Sequence, residues 1–167
     1  FGMYAFDTAV CGGRLVQVPR RADFSLDLPA IEQAAVETQA RVLFLTSPNN
    51  PSGNLTPPTD IERLLTLPLL VVVDEAYIEF AAYQAPEVKR QANIGVSAWV
   101  GHYANLVVLR TFSKWAGLAG LRVGYGLLAE ELAAHLWKIK QPYNVNLAAQ
   151  VAAQASLEDL EYLQVNI

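Results

Sequence analysis

The chain has 167 residues, 53% of them hydrophobic and 17% charged, proportions that exclude an intrinsically disordered chain and suffice for one domain with a sizeable core. Twelve basic residues against sixteen acidic ones give a formal charge of −4, and no basic run exceeds Arg20-Arg21, so a nucleic-acid partner is not expected. The single cysteine, Cys11, has no partner for an internal disulfide and favours a reducing compartment; neither it nor His102 and His135 stands at metal-ligand spacing, so no metal site is expected.

The opening "FGMYAFDTAV" lacks a basic flank leading into an apolar stretch, and no run in the chain approaches the ~18 residues of a membrane span. A cytoplasmic protein without a membrane partner is expected. "RLVQV" (14–18) reads as a first strand and "LPAIEQAAVETQA" (28–40) as a helix. "RVLFL" (41–45) is a second strand, followed by a helix over 57–67, with Thr56 as N-cap and Pro57 and Pro58 in its first turn. "LLVVVD" (69–74) is a third strand, 86–100 a less regular helix, and "NLVVLR" (105–110) a fourth strand. The runs at 41–45 and 69–74 are continuously apolar, as strands are when helices cover both faces of a parallel sheet. "LRVGYGLL" (121–128) follows too closely for a crossover helix, which predicts an antiparallel fifth strand. Helical patterns at 130–140 and 146–163 complete the chain. The fold class is therefore α/β, a three-layer α/β/α arrangement with a mostly parallel sheet and one antiparallel strand.

In such sheets ligands bind beyond the carboxyl ends of the strands. The segment after the second strand, "TSPNNPSG" (46–53), is a tight turn carrying amide side chains. After the third comes "DEAY" (74–77), with Asp74 at the end of a strand that reads as central, where a carboxylate needs a cation or good hydrogen bonds. After the fourth comes "RTFSK" (110–114), in which Lys114 is the only lysine at these strand ends. A lysine that can lose its proton bonds covalently to a carbonyl, and a nearby carboxylate holds a cationic ring nitrogen, the pairing by which proteins hold pyridoxal phosphate. Thr111, Ser113, the following glycine-rich turn and Arg122 supply hydroxyls, N–H groups and a cation suited to a phosphate. "GLAGLRVG" matches neither nucleotide-loop spacing.

The stretches "SPNNPSG", "DEAYIEF", "RTFSKWAGLAGLRVGY" and "KQPYNVN" resemble, in order and spacing and over nearly the whole chain, the fold-type-I pyridoxal-phosphate-dependent aminotransferases of class I and II. "AYIEF" and "GLAGLR" are most similar to the branch acting on histidinol phosphate. Trp115, Ala116 and Ser52 depart from the family's commoner residues without removing a reacting group. The resemblance implies that Lys114 bonds to the cofactor and then serves as general base and acid. It implies that Asp74 pairs with the ring nitrogen, that Asn50 and Tyr77 bond the phenolic oxygen, and that Thr111, Ser113 and Arg122 bind the phosphate. Phe1 falls where the family stacks an aromatic ring on the cofactor, and Asn144 lies where it approaches the substrate near the subunit interface.

The same resemblance implies that residues 1–167 are an incomplete cofactor-binding large domain, without the family's N-terminal segment and C-terminal small domain, and inactive in isolation. The implied activity of the full-length protein is transamination between L-histidinol phosphate and 2-oxoglutarate in histidine biosynthesis, by a homodimer acting on amino-acid and oxo-acid substrates. Two other readings share these motifs: a related decarboxylase acting on threonine phosphate, and a non-catalytic regulatory domain of the same fold joined to a DNA-binding module.

Overall fold

The computed structural model describes residues 2–84 and 94–165. In chain order its elements are α1 (Gly2–Val10), α2 (Leu28–Thr38), β1 (Val42–Thr46), α3 (Pro58–Leu65), β2 (Leu70–Asp74), α4 (Ile78–Gln84), β3 (Leu106–Thr111), β4 (Gly124–Leu128), α5 (Glu130–Ile139), α6 (Leu147–Glu158) and α7 (Leu160–Gln164). The sheet order is β1-β2-β3-β4. The first three strands are parallel, with Thr46 beside Asp74 and Asp74 beside Leu109, so their carboxyl ends lie level. β4 runs antiparallel to β3 and sets Gly124 opposite Thr111, because the short 112–123 connection reverses the chain instead of crossing over.

Side chains alternate across the strands and define two faces. Leu45, Val71, Val73, Leu106 and Val108 join Ile31 of α2 and Ile61, Leu64 and Leu65 of α3 in the main core. Burying each such side chain is worth about 1.5–3 kcal/mol. On the other face Val72 and Val107 are buried while Val42 and Phe44 of β1 are half exposed, and α1 covers Phe44 through Tyr4, whose ring stacks on it at 4.7 Å. The unbroken apolar pattern of β2 thus reports an interior strand covered on both sides, and β1 is the edge. A second cluster, Phe112, Trp115, Ala116 and Ala153, packs α6 against the turn that follows β3. Among the described residues no helix is long and apolar enough to cross a membrane.

Several expectations from the sequence require correction. Residues 14–18 form no strand; Leu15 and Val16 are largely exposed, and β1, not this run, ends the sheet. The helix expected over 86–100 falls partly outside the described residues, and within 94–100 there is only the 3-10 turn Ser97–Trp99. The N-cap of α3 is Pro57 with no side-chain cap bond; Thr56 lies one residue before it, buried, with its N–H donating to Ser47 Oγ at 3.0 Å. The helix expected over 146–163 breaks at Asp159, whose non-helical backbone ends α6 and whose carboxylate caps α7 at Tyr162 N. Helices α1 and α4 had no counterpart in the sequence reading. Their cores are short, and α4 begins inside a stretch read for its side-chain chemistry.

Candidate active site

Three strand ends assemble the site. After β1, Asn49 organises the turn: its N–H donates to Asn54 O at 2.9 Å, its carbonyl accepts Gly53 N–H at 2.7 Å, and its Nδ2 donates to Ser52 Oγ at 2.7 Å. Ser47 N–H donates to Asp74 O at 3.0 Å, so the turn is fastened to the end of β2 and holds Asn50 at the rim. Asn50 Nδ2 then donates to the Tyr77 hydroxyl at 3.4 Å. Lys114 Nζ lies 5.4 Å from the centroid of the Tyr77 ring, within cation–π range. Asn50, Pro48, Pro51, Tyr77, Phe80 and Ala81 contribute to the wall of a cleft of about 190 Å³.

Asp74 ends β2 with both carboxylate oxygens engaged. Oδ1 accepts the Ala76 N–H at 3.0 Å, and Oδ2 accepts the hydroxyl of Tyr4. Burial and the adjacent Asp74 carboxylate push the Tyr4 phenol far above its ordinary pKa, so it remains a donor. At the end of β3 the Thr111 hydroxyl accepts the Ser113 N–H at 3.1 Å. The adjoining β4 brings Arg122 beside this turn, through Phe112 N–H donating to Val123 O at 3.2 Å. Such close pairing needs Gly124: a Cβ there would stand 2.8 Å from the carbonyl oxygen of Arg110. Arg122 is exposed and donates to Ala119 O at 2.9 Å. Neither Lys114 nor Arg122 takes part in the ion pairs found among the described residues. These two cations, on a chain of net charge −4, suit an anionic ligand.

Beneath this rim lies a buried ionic cluster. Glu75, 1% exposed, accepts from Arg110 through Nε at 2.8 Å and Nη2 at 2.7 Å, and from Val96 N–H at 2.6 Å. Arg110 also pairs with Glu79 at 3.2 Å and donates to Ser97 Oγ at 3.3 Å. Burial pushes the Glu75 and Glu79 carboxyls upward, against the opposing pull of their hydrogen bonds and of Arg110. Gly95, at φ +94°, makes room for this carboxylate, because a Cβ would fall 2.8 Å from Glu75 Cδ.

Of the residues singled out in the sequence, Asn50, Tyr77 and Lys114 come together, and Asp74, Thr111, Ser113 and Arg122 occupy the same carboxyl-end rim. Asn144 does not join them: its Oδ1 accepts from Lys140 Nζ at 3.1 Å on the connection between α5 and α6. Phe1 lies outside the described residues. The sequence reading missed Tyr4, Glu75 and Arg110. Glu75 and Arg110 were detectable as opposite charges bordering two adjacent predicted strand ends; Tyr4, 70 residues from Asp74, left no local signal.

The family model Aminotransferase class I and II matches residues 1–166. The chain is 51% identical over 161 residues to the histidinol-phosphate aminotransferase of Roseiflexus castenholzii, covering 96% of this chain and 40% of that protein. It is 47% identical over 164 residues to histidinol-phosphate aminotransferase 1, chloroplastic, of Arabidopsis thaliana, covering 98% and 37%. The chain thus spans about 40% of the length of the curated relatives it matches. Among solved structures, histidinol-phosphate aminotransferase from Sinorhizobium meliloti in complex with pyridoxal-5'-phosphate superposes with a TM-score of 0.80 at 34% identity, over 98% of this chain and 43% of that one.

Proposed function

This chain belongs to the class I and II aminotransferases, and from that premise we propose that the full-length protein is a pyridoxal-phosphate-dependent transaminase. It exchanges the amino group between L-histidinol phosphate and 2-oxoglutarate, giving imidazole-acetol phosphate and glutamate. The observation that carries this reading is the position of Lys114 Nζ, 5.4 Å from the Tyr77 ring, whose hydroxyl meets Asn50 in the row of strand ends that also bears Asp74. Identity of 51% to a histidinol-phosphate enzyme supports the substrate.

The donor set fits the cofactor. Asp74 would hold a cationic ring nitrogen, Asn50 and Tyr77 a phenolic oxygen, and Thr111, Ser113 and Arg122 a phosphate. When bound, pyridoxal phosphate supplies an electrophilic carbonyl carbon and an electron-withdrawing ring. Lys114 Nζ would be the amine that holds the cofactor covalently, and with substrate in place it would act as base and then acid, carrying a proton away from the substrate's amine-bearing carbon. The Tyr77 ring and the rigid 46–53 turn keep the amine and its neighbours in place, and Phe80 and Pro48 exclude water from one side of the cleft. Phe1 is proposed to stack on the cofactor, and Asn144, which stands apart from the other site residues within this chain, to approach the substrate near the subunit interface.

Residues 1–167 form part of the cofactor-binding large domain, in a protein acting as a cytoplasmic homodimer on amino-acid and oxo-acid substrates. The single cysteine supports a reducing compartment. Borohydride reduction of the loaded full-length protein, followed by peptide mapping, tests the site. A pyridoxyl adduct is expected on Lys114; an adduct elsewhere, or none, overturns the assignment. Product analysis separates transamination, which yields an oxo product, from decarboxylation, which releases carbon dioxide.

A further inference from the structure

Asp74 is oriented from a distant part of the chain. Its Oδ2 accepts the hydroxyl of Tyr4, 70 residues earlier, while Oδ1 accepts the N–H of Ala76. Tyr4 is itself fixed. Its ring lies on Phe44 of β1 with centroids 4.7 Å apart and planes at 20°, and its carbonyl accepts the Thr8 hydroxyl at 2.6 Å inside α1. β1 in turn pairs Thr46 with Asp74. Helix, edge strand and central strand thus close a loop of contacts whose one charged member is the Asp74 carboxylate.

Building on the cofactor reading above, we propose that Tyr4 is a positioning residue for Asp74, holding the plane of its carboxylate so that it presents a fixed acceptor to a cationic ring nitrogen. A carboxylate offers about four lone-pair sites. Two internal donors, one on each oxygen, fix its rotation and leave sites for the ligand. Hydrogen bonds to an ionised acceptor are the stronger kind, and the raised pKa of the half-buried phenol keeps it a donor across the working range. Without the hydroxyl the carboxylate rotates about its Cβ–Cγ bond and must be ordered again when the cofactor binds, an entropic cost that appears as lost affinity.

The test uses Tyr4→Phe, which removes the hydroxyl and keeps the ring on Phe44, in the full-length protein. Affinity for pyridoxal phosphate is measured by titrating the apoprotein, together with the visible absorption spectrum of the loaded form. Y4F is expected to raise the dissociation constant on the order of tenfold and to alter the spectrum. In the background of Asp74→Ala the same substitution is expected to change neither, because Tyr4 acts through Asp74. Parent-like affinity and spectrum in Y4F, or an undiminished effect in the D74A background, overturns this inference alone. A parent protein that binds no pyridoxal phosphate overturns the cofactor reading and this one with it.

Discussion

Replacing Arg110 with methionine keeps much of the side chain's apolar stem and removes the cation that Glu75 and Glu79 both contact. Glu75 is 1% exposed, so water cannot take over, and one acceptor is left with only the Val96 N–H. Breaking a buried pair in this way costs about 3–5 kcal/mol. Glu75→Gln is the milder change. The amide oxygen still accepts from Val96 and Arg110 keeps Glu79 at 3.2 Å, but the amide NH2 replaces the oxygen that accepted both Arg110 bonds, so the loss should be about 2–3 kcal/mol. Burial already raises both carboxyls, and losing the cation raises them further. A carboxyl whose folded pKa exceeds its unfolded value contributes stability that is complete below the unfolded pKa and disappears as pH rises through the folded one. The R110M deficit should therefore be smaller at about pH 5 than at about pH 8. Urea unfolding followed by circular dichroism at both pH values measures it. Equal losses for R110M and E75Q, an R110M deficit below about 1 kcal/mol, or one that ignores pH would refute the reasoning.

Gly124→Ala places a Cβ 2.8 Å from the Arg110 carbonyl oxygen and should cost about 1–3 kcal/mol by forcing β4 away from β3; an unchanged unfolding midpoint would contradict that packing. The phenol of Tyr4 is held far above its ordinary pKa by burial and by Asp74, so its contribution to stability is complete below the ordinary tyrosine value of about 10 and declines as pH rises from there toward the folded value. Y4F should make the alkaline loss of stability shallower than the parent's, as read from unfolding midpoints above about pH 10; parallel curves would mean that Tyr4 does not contact Asp74.

Strands β1, β2 and β3 were legible because β-branched and leucine runs of strand length announce an interior sheet without reference to anything distant. The antiparallel β4 was legible from the length of its connection alone. The run at 14–18 is likewise rich in valine and leucine, yet forms no strand; whether an apolar run pairs depends on a neighbour, and the sheet ends at β1. The break at Asp159 was hidden by the alanine-rich run before it and by the leucine, glutamate and glutamine after it, all of which favour helix, although the aspartate is itself a capping residue.

At the site the same division holds. The order of "SPNNPSG", "DEAY" and "RTFSK" behind successive strands was enough to propose the cofactor, since a parallel sheet brings consecutive strand ends to one side whatever the details of packing. Family membership was legible in those short stretches because their residues, order and spacing resemble the family's motifs. Which groups touch was not. The Tyr4 bond to Asp74 spans 70 positions and the Arg110 bond to Glu75 spans 35. Such contacts have no period or spacing in the chain, and they exist only because the packed sheet, α1 and the 94–97 segment bring donors and acceptors into a volume where water does not compete.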